Sequence, residues 1–161
     1  GEVEAVTVRT FLEASRLATG TPATTDAAQY SLPFPVAALL VRGKVGPDEI
    51  DGEALRDPYI IRIAQATTLI DDERYSVLFP AERWAEMEIR LAGGRTVRST
   101  PAVARGSAEN PLSDAEISAK FHALMESGGV AARTRQIEDL VMTLDRAPSF
   151  APLVEALTTA S

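Results

Sequence analysis

Alternation of apolar and polar positions predicts strands in the first two thirds of the chain. Residues 3–9 are rich in Val and Thr and predict a strand, and residues 69–72 predict a shorter one. Residues 84–91 alternate most regularly, with apolar side chains on one side and charged side chains on the other. The glycine pair 93–94 favours a tight two-residue turn, so residues 96–103 are expected to return as the second strand of a hairpin.

Besides a short helix from Phe11 to Ala18, two helices are expected between the first strand and this hairpin. The first runs from Leu32 to Val41, with Ser31 as its N-cap and Gly43 as the left-handed residue that ends it. Its prolines lie in the first turn, where a missing N–H costs no intrahelical hydrogen bond. Because this helix is apolar nearly all round, we expect it to be buried on several sides. Asp57, followed by proline, predicts the start of the second helix.

From Pro111 onward the pattern is helical. Ser113 and Glu116 have the spacing of a capping box, which predicts a helix start. Two further helices are expected to begin near Val130 and Ser149. Each of the three helices carries an apolar stripe, and the stripes consist of Ile117/Phe121/Leu124, Ile137/Leu140/Leu144 and Phe150/Leu153/Leu157.

The order of these elements is strand, helices, hairpin and then three helices. Strands and helices that are segregated in this way indicate an α+β fold rather than alternating α/β. We therefore predict a small antiparallel sheet packed with helices over residues 1–111, followed by a C-terminal helical segment over residues 112–161.

Composition and charge narrow the possible functions. The chain has 161 residues and a net charge of −7, so it lacks the basic surface that nucleic acids or anionic membranes require. It contains no cysteine, which excludes disulfides and thiol chemistry and fits a cytoplasmic protein. No apolar run approaches the length of a membrane span. We expect neither nucleic acid nor membrane as a partner.

Residues able to perform chemistry are few. The single histidine, His122, lies beside a predicted apolar stripe, which favours a half-buried, hydrogen-bonded residue over a catalytic base. The acidic run 71–73 matches no calcium loop and predicts a solvated turn, and residues 43–46 predict a helix end rather than an anion site. We expect no catalytic residue, metal or cofactor in this chain. The hairpin arginines are expected to face solvent and to pair with Glu86 and Glu88; they are Arg90, Arg95, Arg98 and Arg105.

Four segments together resemble a known family. Residues 28–43 read AQYSLPFPVAALLVRG, residues 79–84 read FPAERW, residues 91–96 read LAGGRT, and residues 110–116 read NPLSDAE. Their order and spacing resemble the C-terminal half of the MmgE/PrpD family. That family includes 2-methylcitrate dehydratase, cis-aconitate decarboxylase and iminodisuccinate epimerase.

The resemblance implies that the chain is a C-terminal fragment. Members of the family pair a large N-terminal helical domain with a smaller α+β lid, and their last helices pack back on the helical domain. Residues 1–111 would then be the lid, and residues 112–161 the returning helices. The family acts on small di- and tricarboxylic acids. Because its acid/base residues lie mostly in the helical domain, the fragment alone would be inactive.

The resemblance also implies a substrate-binding segment. Gln29, Tyr30 and Ser31, with Phe34, correspond to the part of the lid that such enzymes present toward the cleft. Many relatives have tyrosine at the position of Phe34, so the hydroxyl is absent here and Phe34 is expected to pack in the core. Tyr30 can supply a hydroxyl instead, or it can be buried and hydrogen-bonded to the backbone.

Two hypotheses follow for the function. The first is the lid of an MmgE/PrpD-type lyase or isomerase, with a 2-methylcitrate dehydratase as the leading example and a small polycarboxylate as substrate. The second is a free-standing, non-enzymatic module that binds a metabolite or a partner. An unpaired apolar stripe on the C-terminal helices would drive self-association, so we also expect a homodimer.

Overall fold

The computed structural model describes residues 2–17 and 20–158, which form two compact units. The first unit extends to Asn110, and the second begins at Pro111. The first contains a small sheet packed with helices and the second is helical, so the predicted α+β class is confirmed.

Most elements lie in the first unit. The strands are β1 (Val3–Thr10), β2 (Thr67–Asp71), β3 (Trp84–Leu91), β4 (Thr96–Arg98) and β5 (Ala102–Val103). The helices of the first unit are α1 (Leu12–Ser15), α2 (Thr25–Gln29), α3 (Pro33–Arg42), α4 (Pro58–Gln65) and α5 (Glu73–Ser76). Those of the second unit are α6 (Asp114–Ser127), α7 (Thr134–Met142) and α8 (Ala151–Thr158). Short 3-10 turns occur at Pro47–Glu49, Ala54–Arg56, Ala131–Arg133 and Leu144–Arg146.

The sheet is mixed, whereas the sequence predicted an antiparallel one. Its order is β2-β1-β3-β4, and β5 also pairs with β3. β1 is parallel to β2, with Val6 opposite Thr67, and antiparallel to β3, with Val6 opposite Ile89. Parallel neighbours require a long crossover, and the helices α1 to α4 between β1 and β2 provide it. Alternation within separate segments does not reveal strand direction, so the pattern could not predict this pairing.

The core lies between one face of the sheet and helices α3 and α4. β1 contributes Val6 and Val8, α3 contributes Phe34, and α4 contributes Ile60 and Ile63. All five side chains are almost completely excluded from solvent. Burial of each such side chain is worth roughly 1.5–3 kcal/mol, so these residues fix how the two helices lie on the sheet.

Helix α3 is buried on one side only. Gly43 ends it as predicted, with φ at 76°, and the Gly43 N–H donates to the carbonyl of Leu39 at 2.8 Å. However, the Leu39 side chain is 47% exposed. The expectation that α3 is buried on several sides is therefore wrong, because the described residues cover only the face of α3 that carries Phe34.

The β3–β4 hairpin is present, but its loop has three residues rather than two. The N–H of Leu91 donates to the carbonyl of Arg95 at 2.8 Å, which leaves Ala92, Gly93 and Gly94 in the loop. Both glycines have positive φ, at 84° and 83°, which L side chains rarely adopt. The return strand is also interrupted, since Pro101, which has no N–H for the ladder, separates β4 from β5.

The second unit has a small core. The capping box predicted at the start of α6 is present, because Ser113 Oγ accepts from the N–H of Glu116 and the Glu116 carboxylate accepts from the N–H of Ser113. Among the described residues of this unit, Thr134, Ile137 and Ala156 are the buried ones. Many apolar side chains of its helices remain about half exposed or more: Ile117, Leu124, Val141, Met142, Phe150, Val154 and Leu157.

Candidate functional site

The four residues predicted to bind substrate lie at the corner between α2 and α3. Thr24 caps α2 by accepting from the N–H of Ala27 at 3.2 Å, and the helix ends after Gln29. The N–H of Tyr30 still donates to the carbonyl of Asp26, at 3.3 Å. The chain then turns directly into α3, and the N–H of Leu32 donates to the carbonyl of Leu17 at 2.8 Å. Backbone hydrogen bonds thus hold the corner on both sides.

Two of the four predicted residues face inward. Ser31 is buried, and its Oγ accepts from the N–H of Phe34 at 3.1 Å, so it caps the first turn of α3. Phe34 is fully buried among the apolar side chains of the core, which confirms the expectation that it packs there. Because they are buried, these two residues stabilise the corner and do not contribute to the surface that a ligand could contact.

The other two predicted residues face solvent. Gln29 is exposed, and the Tyr30 side chain is 72% exposed. The alternative that Tyr30 is buried and hydrogen-bonded to the backbone is therefore wrong. An amide and a phenol next to each other supply two kinds of donor and one carbonyl acceptor. This corner can bind the polar groups of a small molecule, but it contains no acid/base pair.

Charged side chains lie in pairs on the sheet and on the neighbouring helix α5. The Glu86 carboxylate accepts from Arg74 at 2.9 Å and lies 4.0 Å from Arg9, and Arg98 pairs with Glu88. The Arg74 guanidinium hydrogen-bonds to Asp72 and holds the pKa of that carboxyl at about 2. The Arg98–Glu88 pair agrees with the prediction for the hairpin arginines, whereas Arg90 pairs with Glu4 of β1. The opposite charges neutralise one another, so these side chains form a network of surface ion pairs.

A polar cluster joins α6 and α7 in the second unit. His122 Nε2 lies 2.7 Å from the Glu138 carboxylate, which also accepts a hydrogen bond from Ser118. The hydrogen bond from His122 is the main cause that lowers the pKa of Glu138, and the Ser118 hydrogen bond adds to it. Here the carboxylate lies between the hydroxyl and the imidazole. A nucleophilic serine requires the imidazole in the middle, so the cluster ties the two helices together.

A pocket of about 440 Å³ lies at the start of β3 and was not predicted from the sequence. Arg83 and Trp84 form one side of it, and the loop of residues 104–110 forms the other. From the sequence, the FPAERW segment of residues 79–84 indicated the family but no binding site. The adjacent arginine and tryptophan in that segment are the signal that could have indicated a binding surface.

The described residues provide no group of three or more side chains that could hold a metal ion. Within the same residues, no helix has both the length and the apolar character needed to cross a membrane.

Comparison with protein families identifies the class of this α+β unit and its following helices. The MmgE/PrpD C-terminal domain matches residues 1–146. Because the match covers most of the chain, the chain belongs to that family, and the resemblance inferred from its motifs is confirmed. A comparison with curated proteins gave no match.

Proposed function

We propose that this chain is the lid, with the returning helices, of an MmgE/PrpD-type lyase or isomerase that acts on small di- and tricarboxylic acids. The observation that carries the proposal is the family match over residues 1–146. The leading reaction is the dehydration of 2-methylcitrate by a cytoplasmic enzyme without a cofactor. The chain alone is inactive in this proposal, because the acid and the base belong to an N-terminal helical domain.

The exposed corner between α2 and α3 is consistent with a lid. Loss of water from a hydroxy acid removes a proton from a carbon next to a carboxylate and expels a hydroxyl group. The transition state needs preorganised donors and exclusion of water. In the proposal, the Tyr30 hydroxyl donates to the substrate, and the Gln29 amide orients it. The hydrogen bonds that hold this corner fix the backbone that carries both side chains.

The complete polypeptide that contains this chain tests the proposal. We would measure water loss from 2-methylcitrate, CO₂ release from cis-aconitate and water loss from citrate, for that polypeptide and for the present chain. The complete polypeptide should turn over at least one of these acids, and the present chain none. Absence of turnover by the complete polypeptide with all three acids would contradict the proposal and favour the non-enzymatic binding module.

A matched pair of variants tests the role of Tyr30. Tyr30→Phe removes a hydroxyl from the corner, and Tyr59→Phe removes one from α4, where the side chain is 66% exposed. In the complete polypeptide, Tyr30→Phe should lower kcat/KM by about tenfold or more, as loss of a hydrogen bond to a charged group does. Tyr59→Phe should leave kcat/KM unchanged. Equal effects of the two variants would remove Tyr30 from the site.

The exposed apolar side chains of the second unit support two proposed partners, the N-terminal helical domain and a second copy of the chain. About half or more of Ile117, Val141 and Phe150 is exposed to solvent. In the proposal these helices pack on the N-terminal helical domain in the complete enzyme. In the present chain they associate with a second copy and form a homodimer, because exposed apolar patches favour association.

A further inference from the structure

The pocket at the start of β3 has the size and the walls of a small-molecule site. Its volume of about 440 Å³ lies within the range of roughly 300–1,000 Å³ that is typical of ligand pockets. The Trp84 side chain gives it an aromatic wall, and the charged residues of its lining are Arg83, Arg105, Glu82 and Glu109. The whole lining belongs to the first unit.

Arg83 is held by an aromatic stack. Its guanidinium lies over the ring of Phe79, 5.8 Å from the ring centre, and Phe79 stacks on Phe11 with ring centres 4.7 Å apart. A ring contacts the face of a guanidinium and leaves the N–H donors at its edge available. Arg83 forms no ion pair with a carboxylate among the described residues, in contrast to Arg98, which pairs with Glu88.

The acidic side chain nearest to Arg83 in sequence has a different partner. The Glu82 carboxylate accepts from Trp84 Nε1. This hydrogen bond fixes the indole ring and directs the Glu82 carboxylate to it. Glu109 also lines the pocket, but among the described residues no carboxylate forms an ion pair with the Arg83 guanidinium, whose contact is with the Phe79 ring.

The loop opposite Arg83 is ordered by its own hydrogen bonds. The N–H of Ala104 donates to the carbonyl of Arg83 at 2.9 Å, and the N–H of Gly106 donates to the carbonyl of Asn110 at 2.8 Å. The Asn110 side-chain amide donates to the carbonyl of Ala104 at 3.3 Å, and the Asn110 backbone N–H donates to Ser107 Oγ at 3.2 Å. Gly106 has a φ of 101°, a conformation that L side chains rarely adopt. These hydrogen bonds hold the loop in a defined conformation, so it forms a defined wall of the pocket.

We infer that this pocket binds a carboxylate group of a small organic acid, with the Arg83 guanidinium as the main donor. A planar guanidinium matches a carboxylate with two parallel hydrogen bonds. The Trp84 ring offers apolar contact to the carbon skeleton of the acid. The inference concerns binding by the present chain and does not depend on the reaction proposed above.

The chain contains one tryptophan, so its fluorescence reports on this pocket directly. We would titrate the chain with citrate, with trimethyl citrate as the uncharged analogue, and with inorganic phosphate. Sodium chloride at equal ionic strength corrects for screening. Citrate should give a saturable change in Trp84 fluorescence, and trimethyl citrate should give none. A response to phosphate but not to citrate would overturn the inference, as would no saturable response to citrate.

Variants assign the binding to Arg83. Arg83→Gln should weaken citrate binding about ten- to hundredfold, as loss of hydrogen bonds to a charged group does. Arg98→Gln also removes one charge, but from the ion pair with Glu88, and should leave the citrate Kd unchanged. Equal weakening by the two variants would mean that net charge, and not this pocket, attracts the acid.

A second measurement does not depend on how the variants fold. Citrate should shift the amide resonances of Gly106 and Ser107 in the unaltered chain, with the same Kd as the fluorescence change. Arg83→Lys, which keeps the charge and loses the planar fork, should bind more weakly than the unaltered chain and more tightly than Arg83→Gln. Citrate-dependent shifts confined to other parts of the chain would overturn the inference.

Discussion

Replacement of Phe34 by alanine should be among the most destabilising changes in the first unit. The ring is fully buried between the sheet and α4, so its removal leaves a cavity in the core. Such changes cost roughly 3–5 kcal/mol. With a slope of about 1.5 kcal/mol/M, a loss of about 4 kcal/mol lowers the midpoint of urea unfolding by about 2–3 M. The unit as a whole is expected to have only about 5–15 kcal/mol of stability.

Leu39→Ala in the same helix is the control. Leu39 is 47% exposed, so about half of the transfer free energy of a leucine is at stake, or about 1 kcal/mol. Trp84 fluorescence reads the unfolding of the first unit separately, because the single tryptophan lies on β3. A cost for Leu39→Ala equal to that of Phe34→Ala would refute the assignment of the two faces of α3.

Two further predictions concern the second unit. The pKa of Glu138 is lowered in the fold, so its stabilising contribution is present above the ordinary glutamate pKa and is lost as pH falls through the lowered value. Amide exchange in α6 and α7 should therefore accelerate in acid, and Glu138→Gln should remove that part of the pH dependence; an unchanged profile would contradict this. Light scattering should show that the unaltered chain is a dimer and that Ile117→Asp or Val141→Asp makes it monomeric. The control Val97→Asp, in the hairpin, should leave the dimer intact. A monomeric unaltered chain would contradict the proposed homodimer.

Features set by neighbours in sequence could be predicted from sequence. The N-cap at Asp57 is present, because its Oδ1 accepts from the N–H of Tyr59 at 2.9 Å and from that of Ile60 at 3.4 Å. The capping box at Ser113 is present for the same reason. The alternating segment 84–91 coincides with β3. Both caps are interactions between residues two or three positions apart, and the alternation of β3 is visible within the segment itself, so the pattern of residue types is sufficient.

Features set by distant contacts could not be predicted. The parallel pairing of β1 with β2 depends on a crossover of four helices, and alternation contains no information about direction. The exposure of Leu39 depends on which surfaces pack against α3, although every residue type in that helix was known. The pocket at Arg83 requires Phe79 and the loop 104–110 to meet in space. The hydrogen bond between His122 and Glu138 likewise joins two helices.

The exposure of the candidate site explains why the lid needs a second surface in the proposed enzyme. Tyr30 is 72% exposed, so its hydroxyl is accessible to water in the present chain. A hydrogen bond exchanged against bulk water contributes about 1 kcal/mol, too little for the stabilisation of a developing charge. The same donor gains strength when water is excluded, since electrostatic interactions increase as the local dielectric falls. In the proposal, Gln29 and Tyr30 supply donors from a corner whose backbone is held by hydrogen bonds. A covering domain would provide the water exclusion, which is why activity is expected only from the complete polypeptide.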